Sequence, residues 1–304
     1  MFTIRHVTTY RYARPVRLGP HRLMFRPRDS HDLRLLSANL TISPPAASLH
    51  WLHDVFGNSV AIAEFAGEAS ELRFQSDIVL EHYGLDSPEF PIAEYARTYP
   101  FSYSADEIPD LGRTVERHYQ DPHHEVDEWA RRFAVPDPSS GSGLVETQPL
   151  LECMTRAIKS DFTYLGRDAE GTQSPVDTLA RRSGSCRDFA VLMIEAARSL
   201  GFAARFVSGY VYDPAFDRAG SGVSGAGSTH AWVQVYLPGA GWVEFDPTNG
   251  IVGGHNLIRV AVARDPKQAV PLSGEWTGAP ADYLGMEVVV TVTTRDPAEA
   301  TESL

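Results

Sequence analysis

At 304 residues, with 43% hydrophobic and 22% charged side chains, the chain has the composition of a folded globular protein and length for about two cores. Its 27 basic against 39 acidic residues give a formal charge of −12, which excludes a general electrostatic attraction for nucleic acid or anionic lipid. No apolar run has the length of a membrane span and no leader-like stretch opens the sequence, so a cytoplasmic location with no membrane partner is expected; two cysteines, Cys153 and Cys186, do not make a disulfide framework.

In chain order, FTIRHVTTYRY, LRLLSANLTISP, SVAIAEFAG and ELRFQSDIVLEHY alternate apolar and polar residues or are rich in β-branched ones, and turn residues separate them. Residues 1–84 therefore read as an all-β domain, with DVFGNS at 54–59 as a tight turn. Residues 85–147, rich in Pro, Tyr and acids, read as a connector with one helix in HHEVDEWARRFA and a flexible PDPSSGSG. His118, His123 and His124 beside Glu125 lack the spacing of a metal site, and no metal or cofactor is expected. The helix PLLECMTRAIKS follows, with Cys153 inside the apolar pattern of Leu150, Leu151, Met154 and Ile158 and so expected in the core.

The stretch SGSCRDFAVLMIEAARSLGF then predicts a second helix. Phe189, Leu192, Met193, Ala196, Ala197 and Leu200 recur on one face; Ser185 and Asp188 form a capping-box pair, and Gly201 is the stop. Cys186 falls on the first turn, where unpaired N–H groups and the helix dipole favour a thiolate. Arg187 reads as a surface charge. Strands ARFVSGYVY, HAWVQVYL, GWVEFD, LIRVAVA and MEVVVTVTT come next, with a Gly/Ser-rich loop at 219–229 that either gates His230 or only connects, and a loose tail at 295–304.

A thiolate nucleophile needs a base, and the base needs an orienting partner. His230, Trp232, Gln234 and Tyr236 share one strand face; Trp242, Glu244 and Asp246 share a face of the next. If Leu237 pairs with Gly241, Asp246 lies opposite Trp232 and diagonal to His230; a slip of one residue would turn it away. The backbone N–H of Cys186 is the first candidate oxyanion donor and Tyr164 of DFTY the second. Trp232 is a further substrate-contact candidate, and Trp242 a possible wall, although large aromatics on strands are more often core.

GSCRDFAVLMIEAARSLGFAARFVSGY followed by THAWVQVYLPGAGWVEFDPTNG resembles the transglutaminase-like superfamily, a branch of the papain-like cysteine enzymes. HVTTYRYARPV, the RPR at 26–28 and FGN at 56–58 resemble the β-rich N-terminal domain of its bacterial members, and VAVARDPKQAVPLSG the segment after the catalytic Asp. The resemblance implies an α+β fold: an all-β N-terminal domain, then a papain-like core over 148–294 with the Cys helix on an antiparallel sheet. It also implies Cys186 as nucleophile, His230 as general base and acid, and Asp246 as the residue that orients the imidazole. The expected function is acyl transfer at a peptide or protein amide through a thioester, with hydrolysis favoured over transamidation, and a non-catalytic peptide-binding module as the alternative class. Calcium sites of animal relatives are not implied.

Overall fold

The computed structural model describes residues 1–83, 89–136, 143–166, 171–212, 229–254 and 256–294. The loop 219–229 up to Thr229 and the tail 295–304 lie outside them. Strand β1 (Phe2–Leu23) sets the architecture of the first region. Its alternation buries Phe2, Ile4, His6 and Thr8 on one face, and it is long enough to take different partners along its two halves. With β2 (Leu33–Ser43), β3 (Ser48–His53), β4 (Ser59–Glu64) and β5 (Glu68–His82) it forms a sheet in the order β2-β5-β1-β4-β3.

The next stretch holds the short β6 (Thr98–Tyr99), α1 (Glu107–Leu111), α2 (Glu125–Arg131) and β7 (Val145–Glu146), and β6 pairs with β7. After it come α3 (Thr147–Asp161), β8 (Thr163–Tyr164), α4 (Pro175–Arg181), β9 (Ser183–Gly184) and α5 (Cys186–Ser199). A second sheet follows from β10 (Ala204–Val211), β11 (His230–Leu237), β12 (Gly241–Asp246), β13 (Ile251–Val252) and β14 (Leu257–Ala263), ordered β13-β12-β11-β10-β14 with antiparallel neighbours. One face of it, including Phe206, Val233 and Val235, packs on α5 in the main core. No helix among the described residues is long and apolar enough to cross a membrane.

The chain is thus α+β, a β-rich region followed by a helix-plus-sheet core, with three features that the sequence reading did not foresee. Residues 85–147 are not a free connector: Ile92, Ala96, Val126, Trp129 and Ala130 are buried in the same core as α5. The cause lies on α5 itself, whose Glu195 is fully buried. The carboxylate accepts the backbone N–H groups of His118 (2.9 Å) and Tyr119 (3.1 Å) and pairs with Arg117 (3.2 Å) and Arg198 (2.9 Å), which draws the segment over the helix. Second, β15 (Leu272–Thr277) and β16 (Tyr283–Thr294) do not join the core sheet. Both pair antiparallel with β1, Phe2 meeting Thr294, so the last described strands extend the first sheet. Third, Cys153 is exposed on α3, one position off the buried stripe of Leu150, Leu151, Met154 and Ile158.

Candidate active site

The start of α5 is held in place by two buried features. Strands β8 and β9 run parallel, with Thr163 beside Ser183 and Tyr164 beside Gly184, which fixes the chain just before the helix. The Asp188 carboxylate, fully buried one turn in, accepts the Ser185 N–H (2.8 Å), the Ser185 hydroxyl (2.9 Å) and the Gln173 N–H (2.7 Å). Asp188 therefore works as a cap. Cys186 follows as the first helical residue, 7% exposed, at the positive end of the helix dipole. Arg187 beside it is exposed.

Hairpin β11–β12 has the register with Leu237 opposite Gly241, continuing through Val235–Val243 to Val233–Phe245. Gly239 (φ +85°) and Gly241 (φ +76°) make that tight return possible, because a left-handed backbone at both positions is strain-free only for glycine. In this register Trp232 and Asp246 come next to one another, and His230 lies diagonal to Asp246. The His230 Nε2–H donates to Asp246 Oδ2 at 2.8 Å, with both side chains fully buried.

Asp246 is itself fixed. Its Oδ1 accepts the N–H of Thr248 (2.9 Å), its Oδ2 accepts the Asn249 amide (2.8 Å), and its carbonyl accepts Gly250 N–H (2.8 Å) in a turn where Gly250 has φ +71°. Asn249 is a site residue that strand periodicity could not reveal. The legible signal was D-P-T-N-G, an Asx-turn signature directly after the aspartate.

Burial alone would disfavour an imidazolium at His230, but the charge and hydrogen bond of Asp246 outweigh it and push the group up to about 10, with Cys186 acting in the same direction. The reverse holds for Asp246, which burial would raise and which His230, Asn249 and the Thr248 N–H hold below the usual carboxylate range. Among the described residues the other imidazole nitrogen, Nδ1, is buried with no nitrogen or oxygen partner, and Cys186 adjoins the ring. Cys186 and His230 both line one pocket of about 340 Å³, with Phe206, Ser208, Thr229 and Lys267.

Tyr164 lies beside this pair. Burial, reinforced by the charges of Cys186, Asp188 and Asp246, pushes its phenol up to about 12, so at neutral pH it is a hydrogen-bond donor. Trp232 does not take the substrate-facing position expected of it. It is 0% exposed, its indole N–H is committed to Glu244, and its ring stacks behind the imidazole at 5.9 Å with 26° between planes. The alternation that put it on the His230 face also put it under the sheet's cover. Gly209 pairs with His230 across β10–β11, and a Cβ there would meet the Trp232 ring at 2.7 Å. Trp242 stacks under the Arg205 guanidinium (3.9 Å) and lines a different pocket.

Of the connector histidines, His118 lies 3.3 Å from Asp265 and His124 lies 2.9 Å from Asp127. No group of three His, Cys, Asp or Glu side chains among the described residues is arranged to hold a metal.

Residues 2–81 match the family described as the bacterial transglutaminase-like N-terminal region, and residues 147–247 match the transglutaminase-like superfamily. Uncharacterized proteins of Mycobacterium tuberculosis and Mycobacterium bovis are 29% identical over 288 residues, covering 90% of this chain and 86% of theirs. A solved structure named "Putative Cysteine Protease from Cytophaga hutchinsonii" superposes with a TM-score of 0.68 at 19% identity, covering 97% of this chain and 91% of that one. That likeness is one of fold.

Proposed function

From the premise that the chain belongs to the transglutaminase-like superfamily, with the bacterial N-terminal region ahead of its core, we propose that it is a cysteine-dependent amidase or peptidase. The observation that carries the reading is the division of labour on one buried imidazole: Nε2–H is held by Asp246 at 2.8 Å, and Nδ1, with no nitrogen or oxygen partner among the described residues, is left to Cys186, which adjoins the ring. That is the wiring a general base needs.

In the proposed cycle, the Cys186 proton already rests on His230 as a thiolate–imidazolium pair, and the sulfur attacks the amide carbonyl. The oxyanion that forms accepts hydrogen bonds from the Cys186 N–H and the Tyr164 hydroxyl. The imidazolium returns its proton to the departing nitrogen as the C–N bond breaks, leaving a thioester and a free amine. Water then adds with His230 again taking a proton, the C–S bond breaks, and the carboxylic acid and the thiol are released. Asp246 keeps the ring in one tautomer throughout, and Asn249 and Thr248 keep Asp246 still. Hydrolysis is preferred over transfer to a second amine by analogy with the cysteine protease named for the similar fold. Both cysteines are free, which suits the reducing cytoplasm proposed for the protein.

The test is alkylation and turnover together. Iodoacetamide should modify Cys186 much faster than the exposed Cys153, and His230→Ala should abolish that advantage. A library of peptide amides should be cleaved with Cys186→Ala at least about a thousandfold slower and His230→Ala about 100- to 10,000-fold slower. Cleavage that survives Cys186→Ala would sink the proposal, and incorporation of an added labelled amine in place of water would reassign it as a transamidase.

A further inference from the structure

The chain carries a net charge of −12, yet the described residues that line the Cys186–His230 pocket include no Asp or Glu. They include two cations, Arg187 and Lys267, both exposed. No ion pair holds either cationic group among the described residues, so both charges are open to the pocket. The turn that presents Lys267 is built to keep its neighbouring acid away. Asp265 is buried, its carboxylate accepting the Lys267 N–H (3.0 Å) and lying 3.3 Å from both the His118 Nε2 and the Tyr119 hydroxyl. The Asp265 N–H donates to Gln268 Oε1 at 3.1 Å, closing the turn.

The catalytic groups offset these cations only in part: a thiolate, an imidazolium and the Asp246 carboxylate sum to −1 against the +2 of Arg187 and Lys267. The remaining walls carry no charge: Phe206, Pro266, Val270 and Pro271 are apolar, and Thr172, Ser208 and Thr229 bring hydroxyls. The complement of such a cleft is an aliphatic body carrying an anionic group.

We propose that Arg187 and Lys267 determine specificity, selecting amides that carry a carboxylate close to the scissile bond, either on an Asp or Glu side chain or as a terminal α-carboxylate. The proposal rests on the amidase reading, and its test is chosen so that the two can fail separately. Iodoacetate and iodoacetamide are compared at Cys186 by peptide mass spectrometry, with Cys153 in the same sample as reference. Wild type should favour the anionic reagent at Cys186, and Lys267→Gln and Arg187→Gln should each lower that preference by roughly twofold to fivefold, the range expected for one solvent-exposed charge. An unchanged preference in the double variant overturns the proposal. This ratio reads the local charge whether or not Cys186 performs acyl transfer, while slow, His230-independent alkylation would sink the amidase reading alone.

The substrate arm uses three peptide amides: one with Glu beside the bond and blocked ends, its Gln isostere, and a neutral-sided peptide with a free C-terminus. A higher kcat/KM for the first or third over the second, lost in the double variant, supports the assignment and names the source of the carboxylate. Equal kcat/KM for all three overturns it.

Discussion

His230 has two ring nitrogens with different duties, and the residues that separate them sit on three different chain segments. Asp246 holds one nitrogen, Trp232 stacks behind the ring, and Gly209 leaves the space that Trp232 needs. A methyl group at position 209 would collide with the Ile258 carbonyl and press on the indole. Gly209→Ala is therefore expected to cost about 1–3 kcal/mol in denaturant unfolding and to lower turnover, because an overpacked sheet relieves itself by moving Trp232 against the imidazole. A variant with wild-type stability and rate would show that the contact is not tight. The His230–Asp246 contact was legible because both lie on clean strand periods and the turn between them sets the register, whereas the approach of Cys186 to that pair was expected only from the family resemblance. Asn249 was not legible, since its role depends on turn geometry that follows the strand. For Trp232 the commoner core reading holds over the substrate-contact candidate, because periodicity assigns a face and not the depth of cover above it.

Helix α5 combines two chemistries on one element. Its first turn presents Cys186 to the pocket, and its third carries Glu195 into the interior, where two arginines and two backbone N–H groups surround the carboxylate. Removing a partner from a buried charge cluster strands the others, so Glu195→Ala should destabilise the protein by about 3–5 kcal/mol. Urea unfolding would measure this, and a loss under about 1 kcal/mol would mean that water replaces the carboxylate readily. The sequence pattern of α5 showed one apolar stripe, and Glu195 lies outside it. What it could not show is that residues 117–119 return to satisfy that face, because the partners are separated by more than seventy positions and include backbone groups. Helix α3 has the converse lesson: Cys153 sits among apolar neighbours in sequence, yet the stripe at 150, 151, 154 and 158 rotates past it.

At the level of the whole molecule, the two sheets are pinned by few but specific polar contacts across a shared apolar layer of Phe2, Ile4, Leu80, Tyr210 and Ile258. The Asn58 side chain donates to the Val262 carbonyl (2.7 Å) and accepts its N–H (2.9 Å), so the FGN turn also latches the regions together. His6 meets the Tyr210 hydroxyl at 2.9 Å, and Arg259 joins Asp32 of the first region (3.2 Å) to Glu244 of the core sheet (2.7 Å). Burial pushes His6 down to about 4. Unfolded, it would take up a proton near 6.5, so the unfolded state gains protons between pH 6.5 and 4 that the fold refuses, and stability falls as the pH drops through that window. The loss from His6 is about 3 kcal/mol at most, and burial lowers His21 in the same direction. His230 acts oppositely: its raised pKa adds stability below about 6.5 that is lost as pH rises towards 10. Unfolding at pH 7 and 4.5 should therefore show a smaller acid loss in His6→Gln than in wild type, and equal losses would exclude His6 as a source of the acid sensitivity.

The fold class and the order of regions were visible in the alternation of residues 2–83 and in the Cys186 helix followed by strands. The assignment of β16 was not, because MEVVVTVTT reads equally well as a strand of either sheet. Its pairing with β1 has a consequence for synthesis. Strand β1 finds one of its two neighbours only once β16 has been made, so it waits with an open edge of β-branched residues while all the chain between them is synthesised. Chaperone binding to the nascent chain, and failure of fragments that stop before β15, follow from where that last strand is stored in the message.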